Sequence, residues 1–340
     1  MNAAKNSLII FFTQIAVAFF IFLKSVIIAV KFGPLGRGAF DLFFSLSALF
    51  SSLGGLGIGT ASIYLINKKQ RDISHLFFNL LIFGFFLGVF LDIIFLAIFS
   101  LAPNLFSDLP REYLYLLFIT IPFALFHTYL LPFFLAKLKT GIWSFFSIFY
   151  AVLIFVGTLF SVYFLKGGVS GPIYSVAISG FLTFLFIFLY LCRTIHFHPR
   201  FDKKLFYEQI KVGFSVYLGD IFRTVNKNLN LIIISWFLGL SYVGYYSVAL
   251  NAASVIFFIP YSFQQVFYSI WSLFEEESVD KKTPKVARQS LIIGTVVMAF
   301  LFLTGGFFIS FVYGKDFYSS IIPFFVMLPA LKCSVLSRSH

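Results

Sequence analysis

The chain has 340 residues, of which 60% are hydrophobic and 11% charged, with a formal net charge of +12 and a mean hydropathy of +0.97. A soluble domain carries about 25% charged residues, so this chain lacks the polar surface to clothe a globule of its length. Soluble enzymes, disordered tails and disulfide scaffolds are excluded, and a polytopic, all-α membrane protein is expected. The 25 Lys and Arg are scattered over short hydrophilic breaks, so no basic domain exists to follow a phosphate backbone. Cys192 and Cys333 lack the spacing of a metal or redox pair. The 53 Phe read as a coding bias, and no recognition site is placed on them.

A bilayer core of about 30 Å takes about 20 apolar residues per helix. Hydrophilic breaks divide the chain into ten such runs, at 8–30, 38–66, 75–100, 113–136, 142–165, 170–192, 213–238, 242–272, 289–312 and 318–336. The first is a retained helix rather than a cleaved signal, being too long and lacking a small-residue cleavage site. Alternate hydrophilic segments, beginning with the amino terminus, hold sixteen Lys and Arg, including Lys68, Lys69, Arg71, Lys203, Lys204, Lys281 and Lys282; the other set holds five, Lys31, Arg37, Arg111, Lys166 and Lys315. Positive residues favour the cytoplasmic side, so both termini are expected there. No connection exceeds about twenty residues, which leaves no extramembrane loop for the acidic sites of a glycosyltransferase or polymerase. The basic stretch 193–212 reads as a linker between a six-helix bundle, 1–200, and a four-helix bundle, 201–340.

Charges in mid-membrane are costly and face water or a partner. In run one, Lys24 and Gln14 are the notable polar residues; Lys24 either snorkels to the interface or lines a cavity. Arg37 and Asp41 sit one turn apart at the mouth of run two, as an interfacial pair or a gate. Asp92 in run three and His127 in run four are isolated ionisable groups, candidates for coupling to H+ or Na+ or simply satisfied polar residues. Gly54, Gly55, Gly57 and Gly59 lack the strand context of a dinucleotide site and read as close helix packing. Run seven is the most polar. Asp220, Arg223 and Lys227, spaced three and four apart, fall within about 60° of one helical face, as a cavity lining or as an internal ion pair that leaves Lys227 over. In run eight, Asn251, Gln264 and Gln265 could bond sugar hydroxyls or join helices. His196 and His198 lack further ligands, so no metal site is expected, and no nucleophile–base pair suggests an enzyme.

The stretch Phe32-Gly33-Pro34-Leu35-Gly36-Arg37-Gly38-Ala39-Phe40 recurs as Leu238-Gly239-Leu240-Ser241-Tyr242-Val243-Gly244-Tyr245-Tyr246 at an offset of 206, and Ile121-Pro122 recurs as Leu328-Pro329 at 207. Six helices separate the copies, so they run parallel, as in transporters that carry a site between their halves. On this arithmetic His340 corresponds to the fourth helix of the first half, and a six-plus-six design would lack two helices.

Gly33-Pro34-Leu35-Gly36-Arg37-Gly38-Ala39-Phe40 resembles the signature after the first helix of polysaccharide exporters, and Leu53-Gly54-Gly55-Leu56-Gly57-Ile58-Gly59-Thr60-Ala61 the end of their second. Val212-Gly213-Phe214-Ser215 and Phe237 through Ala249 resemble the start of their second half, and Tyr313-Gly314-Lys315-Asp316-Phe317 the entry to their tenth helix. The whole chain thus resembles the O-antigen type oligosaccharide flippases of the multidrug/oligosaccharidyl-lipid/polysaccharide exporter superfamily, apparently truncated at the carboxyl end. The resemblance implies a flippase moving a polyprenyl-diphosphate-linked oligosaccharide across the bacterial inner membrane by alternating access. Lys24, Arg223 and Lys227, with Asp220, Asn251 and Gln14, would line a cationic cavity. Membrane lipids, and polymerases or glycosyltransferases of surface polysaccharide synthesis, would be its partners. Multidrug antiporters, lipid II flippases and an inactive remnant are the alternatives.

Overall fold

The computed structural model describes residues 3–69, 72–106, 108–136, 139–195, 201–254 and 276–337. These residues are helical almost throughout, as the lipid interior requires of a chain that must satisfy its own backbone polar groups. The elements are α1 (Ala3–Gly55), α2 (Ile58–Lys69), α3 (Ile73–Leu101), α4 (Arg111–Ala136), α5 (Thr140–Tyr163), α6 (Ser170–Thr194), α7 (Lys203–Leu238), α8 (Leu240–Ala253), α9 (Glu276–Tyr313) and α10 (Ile321–Ser337). Short 3-10 turns occupy Pro103–Phe106 and Lys315–Ser320.

The helix α1 is two spans in one. Its backbone leaves helical space at Gly33 (φ 63°, ψ −168°), followed by Pro34, whose fixed φ suits the start of a helix. A straight helix would hold residues 24 and 40 about 24 Å apart; instead the Lys24 ammonium lies 4.6 Å from the Phe40 ring centre. The chain therefore folds back, giving a first arm before Gly33 and a second arm after it. The junction of α7 and α8 repeats this turn. Gly239 has φ 90° and ψ 173°, and Asn230 Nδ2 donates to Tyr246 Oη at 3.3 Å. Residues 230 and 246 are the copies of 24 and 40 at the 206-residue offset, so the repeat carries a shared local geometry.

Six helices among the described residues are long and apolar enough to cross a membrane, the first of them covering both arms of α1. The sequence expectation of ten spans is not reached on length and composition. α7 is 36 residues long but carries charges along its length, and much of run eight lies outside the described residues. Run two differs in a second respect. It breaks at Leu56 (φ 43°) and Gly57 (φ 63°), so α2 is a separate helix set against α4, where a Cβ on Gly59 would stand 2.7 Å from the Thr128 carbonyl oxygen.

Small residues bring the helices together, as is usual in membranes. Gly84 and Gly88 of α3 face Phe126 and Pro122 of α4, and Gly157 and Gly171 face Ser175 and Ser161 across the α5–α6 pair. The larger buried core, with Phe43, Leu46, Phe77, Phe95, Leu117 and Tyr129, joins the second arm of α1 to α3 and α4. A smaller one, with Ala29, Val248, Ile309, Phe324 and Leu328, joins the first arm to α8, α9 and α10.

Candidate functional site

The helix α7 starts at Asp202, whose side chain accepts hydrogen bonds from the amides of Lys204 and Leu205 at 2.9 and 3.0 Å. One stripe of it is buried: Gln209, Gly213 and Tyr217 recur every four residues, and Asn228, Leu231 and Ser235 every three or four. This stripe is bonded along its length to α2 and the second arm of α1. Gln209 Nε2 donates to Ser62 Oγ at 3.2 Å, Tyr217 Oη donates to the Leu53 carbonyl at 2.7 Å, and Ser45 Oγ donates to Asn228 Oδ1 at 3.0 Å. Lys69 pairs with Glu208 at one end. Gly213 and Gly57 meet backbone to backbone, a Cβ on Gly57 falling 2.2 Å from the Gly213 carbonyl oxygen.

The side chains of Asp220, Arg223 and Lys227 lie outside the described residues, while their backbone is helical.

The first arm of α1 holds a cluster that the sequence reading did not assemble. Lys24 is 7% exposed and lies over two rings, 4.6 Å from the centre of Phe40 and 5.1 Å from that of Phe44. It neither snorkels nor stands in open water. Arg37 Nε and Asp41 Oδ2 are 2.6 Å apart in an ion pair that lacks hydrogen-bond alignment, at 3% and 9% exposure. The pair is buried within the protein. Arg37 Nη1 donates to the Ser25 carbonyl at 3.5 Å, and the hydroxyls of Ser25 and Tyr313 stand 3.5 Å apart. Lys24 interacts electrostatically with both Arg37 and Asp41. Folding residues 24 and 25 back about Gly33 creates this arrangement. The Gly33-Pro34 pair was the available signal, since it marks a turn that sets residue 24 against 40.

The other candidates are dispersed. Gln14 is half-buried on the first arm, and Asn251 is exposed on α8, with its carbonyl accepting from Ser254 Oγ at 2.7 Å. Asp92 Oδ1 and His127 Nε2 are buried and have no hydrogen-bond partner among the described residues; the His127 ring lies 4.8 Å from that of Tyr150. Because Gly88 faces Pro122 and Gly84 faces Phe126, Asp92 and His127 sit at different levels of the α3–α4 pair and do not meet. Gln264, Gln265, His196 and His198 lie outside the described residues. Among the described residues no three metal-ligating side chains converge.

Comparison with known proteins gives the family. The model of a family described as polysaccharide biosynthesis protein matches residues 34–322. A search of curated protein sequences finds no match. Among solved structures, the chain is similar to an inward-facing multidrug resistance MATE family transporter of the MOP superfamily, at 17% identity and a TM-score of 0.69, covering 95% of this chain and 78% of that one. It is similar to an outward-facing transporter of that description at 18% identity and a TM-score of 0.63, covering 99% and 79%. A MOP superfamily transporter from Pyrococcus furiosus, described by the reversed polarity of its binding pocket, matches at 18% identity and a TM-score of 0.64, covering 99% and 79%. The fold is that of the membrane transporters to which the chain is similar. With most of its length matched, the chain belongs to the polysaccharide biosynthesis protein family and has the all-helical, MATE-like fold of the MOP superfamily.

Proposed function

We propose that the protein flips a polyprenyl-diphosphate-linked oligosaccharide from the cytoplasmic to the outer leaflet of a bacterial inner membrane. The family match over residues 34–322 is the observation that carries this reading. The residue chemistry supports it: Lys24, Arg37, Arg223 and Lys227 outnumber Asp41 and Asp220 along α1 and α7. A diphosphate favours guanidinium and ammonium groups in a low-dielectric cleft, whereas a cationic drug would favour carboxylates. In this reading the bundles 1–200 and 201–340 rock about the head group while the lipid tail stays in the bilayer. Both termini are cytoplasmic. A proton or sodium gradient supplies the drive, with Asp92 and His127 as the candidate coupling groups, and polymerases and glycosyltransferases of surface polysaccharide synthesis work alongside.

The test is the double substitution Arg223→Ala, Lys227→Ala in a strain that depends on this protein for surface polysaccharide. Surface polymer should be lost while the protein remains in the membrane at its normal level; unchanged polymer removes the cavity assignment. The likeness to multidrug transporters favours a second reading, drug export. Raised drug resistance on expression, without any effect on polymer, would select it.

A further inference from the structure

Four helix ends of the first bundle surround a cavity of about 50 Å³, lined by Ile73 at the start of α3, Phe133 and Phe134 near the end of α4, Lys139 just before α5, and Tyr190 and Thr194 near the end of α6. A water needs about 10–15 Å³ of such space, so a phosphate-sized group or a few methylenes would fit. The walls are apolar and braced from behind. The rings of Phe134, Phe146 and Tyr190 pack together with centres 5.3, 5.7 and 6.0 Å apart, and Phe133 meets Phe77 edge-on at 6.3 Å. Each lining residue stands within a few residues of the end of an apolar span, so the cavity lies at headgroup level. Lys139 is the charged residue in the lining. It is half-buried, and among the described residues no acidic side chain pairs with it. Its amide donates to the Phe134 carbonyl at 2.9 Å, and its carbonyl accepts from the Ile142 and Trp143 amides at 3.0 and 3.1 Å, which fixes its backbone at the mouth. The acid next to Ile73, Asp72, is engaged in capping α3 through the Ser74 amide at 2.8 Å.

We propose that this cavity binds one acidic phospholipid, with its phosphodiester at Lys139 and the start of an acyl chain along Phe133, Phe134 and Tyr190. The connections that meet here, after α2, α4 and α6, carry Lys68, Lys69, Arg71, Lys137, Lys139 and Arg193, and they lie on the face proposed to be cytoplasmic. Basic pockets between membrane helices on that side hold anionic headgroups, and a half-buried tyrosine at headgroup level presents an apolar ring and a polar tip to such a ligand. A soluble anion would give up its hydration to apolar walls without return, whereas a lipid supplies chain to cover them. A zwitterionic headgroup brings an ammonium group that Lys139 repels. The bound lipid would bridge the ends of α3, α4, α5 and α6 and so brace the first bundle. None of the lining residues belongs to α1 or α7, so the site is separate from the proposed pathway.

The test titrates the purified full chain, in uncharged detergent, with phosphatidylglycerol, phosphatidylcholine or glycerol phosphate, following melting temperature and the lipid retained in native mass spectrometry. Phosphatidylglycerol should raise the melting temperature saturably and stay on as one bound copy, while phosphatidylcholine and glycerol phosphate should do neither. Lys139→Gln removes a charge-assisted contact to the phosphate and should raise the half-saturating lipid concentration about tenfold; Lys139→Arg should restore it. Thr194→Phe, at an exposed position, fills the mouth and should abolish the response. Lys211→Gln, exposed on α7 and away from the cavity, should respond as the native chain does, and so should the Arg223→Ala, Lys227→Ala protein. Equal responses to the two lipids, or a full response to glycerol phosphate alone, overturns the proposal on the native chain, whether or not any variant accumulates. Native binding in both Lys139→Gln and Thr194→Phe overturns it as well, and loss of binding in the Arg223, Lys227 protein would place the lipid in the pathway instead. Neither outcome at Lys139 bears on polymer export, so the oligosaccharide reading stands or falls separately.

Discussion

A lysine ammonium inside a membrane protein is held by a counter-ion or by the faces of aromatic rings, and Lys24 has both Asp41 nearby and the rings of Phe40 and Phe44. A desolvated cation–π contact contributes about 2 kcal/mol, and the Asp41 carboxylate is paired with Arg37. The Arg37–Asp41 half of this cluster could be read from its one-turn spacing. The Lys24 half could not, because spacing within a run does not say how sharply the chain turns at Gly33. Removing one partner of a buried ion pair leaves an uncompensated charge and costs about 3–5 kcal/mol. Here Lys24 remains as a second cation beside Asp41, so Arg37→Ala should fall at the lower end of that range. Asp41→Ala leaves Lys24 and Arg37 facing each other and should cost more. The pair Arg37→Ala, Asp41→Ala should recover part of the loss. Thermal unfolding of the detergent-purified variants measures this, and strict additivity of the two single losses would show that the residues do not couple.

At the scale of the element, the break between α1 and α2 shows what hydropathy misses. Residues 38–66 are one apolar run, in which the glycines at 54, 55, 57 and 59 weaken a helix without saying where it ends. The break is imposed from outside the run. Gly57 takes a left-handed φ of 63° and presses its backbone onto that of Gly213, a residue 156 positions away. The glycine cluster at 54–59 did signal close packing, but its partner on α7 could not be read from it. In Gly57→Ala the left-handed backbone costs on the order of 1–3 kcal/mol. The Cβ, 2.2 Å from the Gly213 oxygen, adds an overpacking cost of similar order. Gly219→Ala, on the same α7 but with open space at its Cβ, should stabilise by up to about 1 kcal/mol through helix propensity. Melting temperatures of the two variants should move in opposite directions. A shared fall would mean that α7 resists any change rather than close approach at Gly213.

At the scale of the whole molecule, the internal repeat was legible because glycines fix it. A backbone at φ 63° or 90° admits few other residues, so Gly33 and Gly239 survive where the surrounding side chains have drifted. That the copies also touch each other, through Gly38 and Gly244, was not legible, since offset arithmetic relates two segments without placing them. The orientation of the repeat in the membrane depends on a further argument, the sixteen-to-five distribution of Lys and Arg. Each basic residue near an anionic cytoplasmic leaflet contributes about 1 kcal/mol, so an imbalance of this size favours the proposed topology with both termini in the cytoplasm. Lys166, between α5 and α6, and Lys203, at the start of α7, are both exposed and lie on opposite sides in that topology. In a chain carrying Cys192→Ser and Cys333→Ser, Lys166→Cys should react with an impermeant maleimide on intact cells, and Lys203→Cys only after permeabilisation. The reverse pattern would turn the molecule over. The sense of transport would then have to be argued again from the outer face.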